Sequence, residues 1–161
     1  MNDALDTTLS VYRNEYKYVA DVELDLGTLP LITCNIGEIN QVFLNLIINA
    51  AQAIIDMVAG TDERGTIRIS SGLEDGEAVI RIADDGPGIP LELQDRIYEP
   101  FFTTKEIGQG SGQGLALART TIEQHGGSLE CASEPGNGAT FTIRLPVGPV
   151  PAQATEIPTA A

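Results

Sequence analysis

EINQVFLNLIINAAQAIIDMV, residues Glu38 to Val58, carries two stripes of the same period. Ile39, Val42, Phe43, Leu46, Ala50, Ala53, Ile54 and Met57 recur at steps of three and four, the spacing of a helix that buries one broad face. Glu38, Gln41, Asn45, Asn49, Gln52 and Asp56 return by the same steps to a second azimuth. A solvated helix face is normally written in Lys, Arg and Glu, which keep helix propensity high and form ion pairs one turn apart, whereas Asn is a poor interior residue. No cation occurs from Glu38 to Asp56, and two Asn stand one turn apart. Each amide offers a neutral carbonyl acceptor and a donor, so the pair suits a hydrated cation with phosphate oxygens as well as it suits a plain polar face.

Outward from that helix, composition narrows the choices. The 161 residues are enough for one domain with a real core, since domains run roughly 100 to 200 residues. A formal charge of −14 argues against binding a nucleic-acid backbone, which needs a basic face. Any polyanion must therefore be held locally, by backbone amides, a metal and one or two cations. The start, Met1-Asn2-Asp3, lacks the basic and apolar regions of a signal peptide. No uninterrupted apolar run approaches the ~20 residues of a membrane span. Cys34, Cys131 and the lone His125 are too dispersed for a metal site, and the thiols read as buried and reduced.

Upstream, residues 2 to 18 predict a helix with Leu5, Leu9, Tyr12 and Tyr16 on one face and Asn2 or Asp3 as cap. Asp21 to Leu26 alternates as a half-exposed strand. Downstream, Thr66 to Ser70 and Ala78 to Ala83 alternate on either side of Glu74-Asp75-Gly76-Glu77, a tight hairpin turn. The second of these strands runs into Asp84-Asp85-Gly86-Pro87-Gly88-Ile89-Pro90, which cannot hold regular structure. A short helical pattern over 91 to 98 precedes Glu99-Pro100-Phe101-Phe102-Thr103-Thr104-Lys105 and then Gly108-Gln109-Gly110-Ser111-Gly112-Gln113-Gly114. Four Gly in seven residues let backbone amides approach a ligand, and the run empties into a helix over 115 to 124, whose free N–H groups favour an anion. Ser128 to Ser133 and Thr140 to Leu145 form a last hairpin around Pro135-Gly136-Asn137-Gly138, before a Pro, Ala and Thr tail. The sum is an α+β, two-layer sandwich: a mixed, mostly antiparallel sheet against three helices, connected by hairpins rather than βαβ crossovers.

A P-loop requires Gly followed by Lys at fixed spacing, and neither Lys17 nor Lys105 follows such a run. A dinucleotide fingerprint requires its glycines directly after a strand, and here Pro100 to Lys105 intervenes. NLIINAAQA, DDGPGI, YEPFFTTK, GSGQGLALA and GNGATF, in this order, instead resemble the N, G1, F, G2 and G3 boxes of sensor histidine kinase catalytic domains, members of the GHKL ATPase superfamily. The match spans roughly residues 18 to 146.

The resemblance implies a Bergerat-type fold with a mobile ATP lid, and a protein histidine kinase that uses ATP and Mg2+. It implies that Asn49 holds Mg2+, with Asn45 one turn earlier and Lys105 as the residues closest to catalysis. Asp84 would accept a hydrogen bond from the adenine amine, Gly86 and Gly88 would let the base approach, and Thr140 would close the adenine side beside Gly136 and Gly138. Gln52, Thr103, Thr104, Gly110, Ser111, Gly112, Gln113, Gly114 and Leu115 complete the implied nucleotide contacts. Three departures stand out: Gln52 where many relatives place Lys or Arg, and the uncommon Gln113 and Ala139.

ATP-hydrolysing members of the superfamily place a Glu where this chain has Asn45, and an amide cannot take the proton of an attacking water. Transfer of the γ-phosphoryl to a partner segment is then the expected chemistry. The implied domains are residues 1–17 as a helix or linker from a dimerisation hairpin, 18–146 as the catalytic domain and 147–161 as a disordered tail. The implied partners are the kinase's own phosphoacceptor hairpin and a response regulator, with no nucleic acid and no membrane contact by this part. A cytoplasmic location follows whether or not the full-length kinase is membrane-anchored, as does a dimer at full length and a monomer for this part. A serine kinase of the same superfamily and a non-catalytic module retaining the fold are the alternatives.

Overall fold

The computed structural model describes residues 1–103 and 113–148. The expected mobile lid falls largely on residues 104–112, and most of the expected tail on 149–161, outside the described residues.

Seven residues of alternating polarity form β1, Ala20–Leu26, the first edge strand. The sheet order is β1-β2-β3-β5-β4, where β2 is Gly65–Glu74, β3 Glu77–Asp84, β4 Ser128–Ser133 and β5 Ala139–Pro146. The β2–β3, β3–β5 and β5–β4 pairs are antiparallel, and β1 lies parallel to β2 with Val22 opposite Ile67. That parallel pair corrects the expectation of hairpins alone. Parallel neighbours need a long crossover, and the central helix α3, Ile36–Val58, supplies it.

One face of the sheet is apolar and the other is not. Ile67 and Ile69, then Ile80 and Ile82, then Phe141, Ile143 and Leu145 alternate inward and are at most 2% exposed. The opposite face carries Arg68, Arg81, Glu77, Thr140 and Arg144, with Arg81 forking onto Glu74 at 2.7 and 2.9 Å.

On the apolar face, α3 crosses β2 and β3, while α5, Gly114–Gln124, packs beside it over β4 and β5. The helix α3 is long and apolar enough to cross a membrane by length and composition alone. Its apolar side instead forms the middle of the core, where Ile39, Val42, Phe43, Leu46, Ile47, Ala50, Ala51, Ile54 and Val58 are buried. Met57, assigned to that side from spacing, is 42% exposed, and Ala53 is half-buried. The helix begins on Asn35, whose side chain accepts from the N–H of Gly37 at 3.1 Å and of Glu38 at 3.3 Å.

The predicted helix over 2 to 18 is two helices, α1, Asn2–Val11, and α2, Arg13–Tyr16, broken at Tyr12. Leu5, Leu9 and Tyr16 are buried, and the Tyr16 hydroxyl donates to the Leu9 carbonyl at 2.9 Å. Asn2 does not cap the helix. Its amide donates to the Gly27 carbonyl at 2.7 Å and accepts from the Ser71 hydroxyl at 2.8 Å, so it clasps the N-terminus to the ends of β1 and β2. Ala4, Leu5, Leu9 and Tyr16 of this segment are part of the buried core cluster. The helical pattern over 91 to 98 contracts to α4, Leu91–Gln94, where Gln94 donates to the carbonyls of Ile89 and Ser133, each at 2.9 Å.

Candidate functional site

Two walls face each other: the amide stripe of α3 and the C-terminal end of β3. Asp84 is the last residue of β3 and points to the helical side, since its register partners are Ile67 on β2 and Ala139 on β5. It is 8% exposed, a rare state for a carboxylate, and its Oδ1 accepts the Gly86 N–H at 2.9 Å while the Ala139 N–H also donates to the group. Burial pushes its pKa above the ordinary value, the two amides oppose that rise, and the neighbouring Asp85 charge adds to it. Asp85 itself turns away, accepting the Thr66 N–H at 2.8 Å.

The glycines divide into two kinds. A Cβ on Gly86 would lie 2.9 Å from Asp84 Oδ1 and 3.0 Å from Ala53 Cβ, so this residue keeps open the space between the acid and α3. Gly88 and Gly138 both have φ of +75°, and their Cβ positions are taken by the Glu134 and Asp84 carbonyls respectively. Gly88, assigned from sequence to base approach, is accounted for by the packing of one turn against another. Ser133, which the sequence offered no signal for, rivets those turns: its hydroxyl accepts the Ile89 N–H at 2.8 Å and donates to the Gly138 carbonyl at 2.7 Å.

Thr140 lies on the face of the sheet away from Asp84. The pleat that turns Phe141, Ile143 and Leu145 inward turns Ala139 inward with them and Thr140 to the outer face. The residue beside Asp84 is Ala139. The inward spacing of 141, 143 and 145 was the available signal.

Along α3, Asn45 and Asn49 are half-buried. Asn45 is engaged at both ends, accepting from Gln41 Nε2 at 3.1 Å and donating to the Gly114 carbonyl at 3.1 Å. The Asn49 side chain makes no hydrogen bond among the described residues. Gln52 donates to Asp56 at 3.1 Å. Gly114 opens α5 directly over Asn45, Gln113 precedes it, and Leu115 packs on the core. Thr103 is exposed at the end of the first described stretch, while Thr104, Lys105, Gly110, Ser111 and Gly112 lie outside the described residues.

His125 ends α5 as a structural residue. It is 9% exposed, its Nδ1 faces the Thr121 carbonyl at 2.7 Å and its Nε2 accepts the Asn35 N–H at 3.1 Å. A carbonyl can only accept and an amide N–H can only donate, so the tautomer that meets both partners carries its proton on Nδ1. Both Cys are free and half-buried rather than fully buried, and burial lifts the Cys131 thiol to about 11.

The arrangement sets a buried carboxylate across the Gly86 gap from Ala53 of α3, and ties the asparagine stripe of the same helix to the first residue of α5. Residues 34–149 match the family model described as histidine kinase-, DNA gyrase B- and HSP90-like ATPase. The chain belongs to that family. AtoS, a signal transduction histidine-protein kinase of Escherichia coli (strain K12), is 47% identical over 128 residues, covering 79% of this chain and 19% of AtoS. ZraS, a sensor histidine kinase of the same organism, is 40% identical over 120 residues, covering 74% of this chain and 24% of ZraS. The catalytic domain of histidine kinase ThkA superposes with a TM-score of 0.75 at 30% identity, covering 91% of each chain. The mycobacterial sensor histidine kinase MprB gives a TM-score of 0.75 at 27% identity, covering 92% of this chain and 95% of that one. The chain spans about a fifth to a quarter of the curated relatives AtoS and ZraS, from 19% to 24%. It is an ATP-binding catalytic domain of the kind that sensor histidine kinases carry.

Proposed function

We propose that this domain binds Mg-ATP with its γ-phosphoryl presented outward, for transfer to a histidine on a separate dimerisation hairpin of a two-component kinase. The observation that carries the reading is the buried carboxylate of Asp84, held by two backbone amides and facing α3 across the gap that Gly86 keeps open. An acceptor so placed selects the donor edge of a base, here the adenine amine.

Mg2+ fits the donors present. A hard cation bound mainly through phosphate and water needs only one or two protein oxygens, and the Asn49 carbonyl provides one. When bound, the ion would supply charge for the phosphates, because α3 carries no cation and its stripe has the neutral Gln52 one turn beyond Asn49. Asn45 has no basic atom to accept a proton, and both ends of its amide are occupied, which supports phosphoryl transfer over hydrolysis. The chain's one histidine has both ring nitrogens bound, which supports an acceptor on another segment, with a response regulator downstream of it.

Titration calorimetry with a non-hydrolysable ATP analogue and Mg2+ tests the reading. Saturable one-to-one binding that Asp84→Asn weakens is the expected result. Equal affinity in parent and variant removes Asp84 from the base site.

A further inference from the structure

The amide of Asn45 has a fixed sense. Its partner on α5 is the Gly114 carbonyl, which can only accept, so Nδ2 must face α5 and Oδ1 must face back along α3. Gln41, one turn earlier, meets that oxygen with its own Nε2 at 3.1 Å. The three groups form a directional relay, Gln41 to Asn45 to Gly114, running from the exposed face of α3 to the first residue of α5. A flipped Asn45 would set its oxygen against the Gly114 carbonyl, so that carbonyl fixes the sense and Gln41 meets the oxygen that is left facing back along α3.

We infer that Gln41 is a positioning residue for the nucleotide's phosphates, acting through Asn45 to hold the N-terminus of α5 against the asparagine stripe of α3. Position matters there because the first amides of α5 and the Asn49 carbonyl must reach the same anionic group from two different elements. Gly114 has no side chain to make the connection, and the polar link between it and Asn45 is the hydrogen bond to its carbonyl. Gln41 is exposed and outside the core, so its replacement leaves the fold intact. The inference rests on the nucleotide-site reading above and assigns a residue to the phosphate end of that site.

The test is a double-mutant cycle of Gln41→Met and Asn45→Ala, read by calorimetric affinity for the Mg-bound ATP analogue and, separately, for adenosine. Gln41→Met adds no charge and is expected to weaken the analogue about fivefold while leaving adenosine within about twofold, since base recognition lies at Asp84. In the Asn45→Ala background the same substitution is expected to change analogue affinity by less than about 1.5-fold. Additive losses, or a loss of adenosine affinity equal to that of the analogue, overturn the relay. A parent chain that binds no analogue overturns the nucleotide-site reading and the relay with it, whereas additivity in a parent that binds overturns the relay alone.

Discussion

At Asp84 two physical demands conflict. A carboxylate reads an amine best when ionised, yet burial favours its neutral form, and the N–H groups of Gly86 and Ala139 restrain that tendency. Its folded pKa lies above the unfolded value, so the folded state binds the extra proton. Stability from this group is therefore greatest in acid and falls as pH rises through the folded pKa. Asp84→Asn should weaken the nucleotide by about 10- to 100-fold, the loss expected for a hydrogen bond to a charged group, while the ligand-free melting temperature at pH 7 stays level or rises. In the parent, calorimetry should find nucleotide affinity declining at a higher pH than an ordinary aspartate would give. Gly138→Ala is a different kind of change. A φ of +75° and a Cβ directed at the Asp84 carbonyl should destabilise the domain by about 3 kcal/mol in denaturant unfolding. These two residues also mark what residue reading could see: an Asp before Gly is visible as chemistry, but its burial depends on strands far away in the chain.

Among the elements, α3 was legible because its apolar and amide stripes keep strict helical period across six turns' worth of sequence. Its start was not. Asn35 lies ahead of the periodic run, and its capping bonds to Gly37 and Glu38 become visible only in three dimensions. Asn35→Ala should reduce stability by about 1 kcal/mol, measured by denaturant unfolding, with the slope unchanged. The β5 strand shows the opposite case. Its alternation was readable, yet Thr140 was assigned by neighbourhood to the glycines instead of by parity with Phe141. One residue of register moves a side chain to the other face of a sheet, which is why proximity in sequence misplaced it.

Across the whole molecule, the N-terminal segment packs into the same core as α3. Leu5 is fully buried among the core residues that include α3, and Asn2 ties that segment to β1 and β2. Leu5→Ala should cost about 2 to 5 kcal/mol and lower the melting temperature, with one transition retained. A separately melting N-terminal segment would contradict it. The charge of −14 acts at the same scale. Raising ionic strength from low to moderate salt should raise the ligand-free melting temperature by relieving self-repulsion. A melting temperature that falls over that range would show that the ion pairs on the outer sheet face outweigh the repulsion.

Periodicity, turn residues and the order of five boxes are local properties, and they alone determined the two-layer architecture, the asparagine-bearing helix and the candidate acid. The parallel seating of β1 on β2, the packing role of Gly88 and the clasp made by Asn2 were decided only by the tertiary structure. Each depends on which distant backbone lies across a pleat or a turn, and no spacing along the chain encodes that distance.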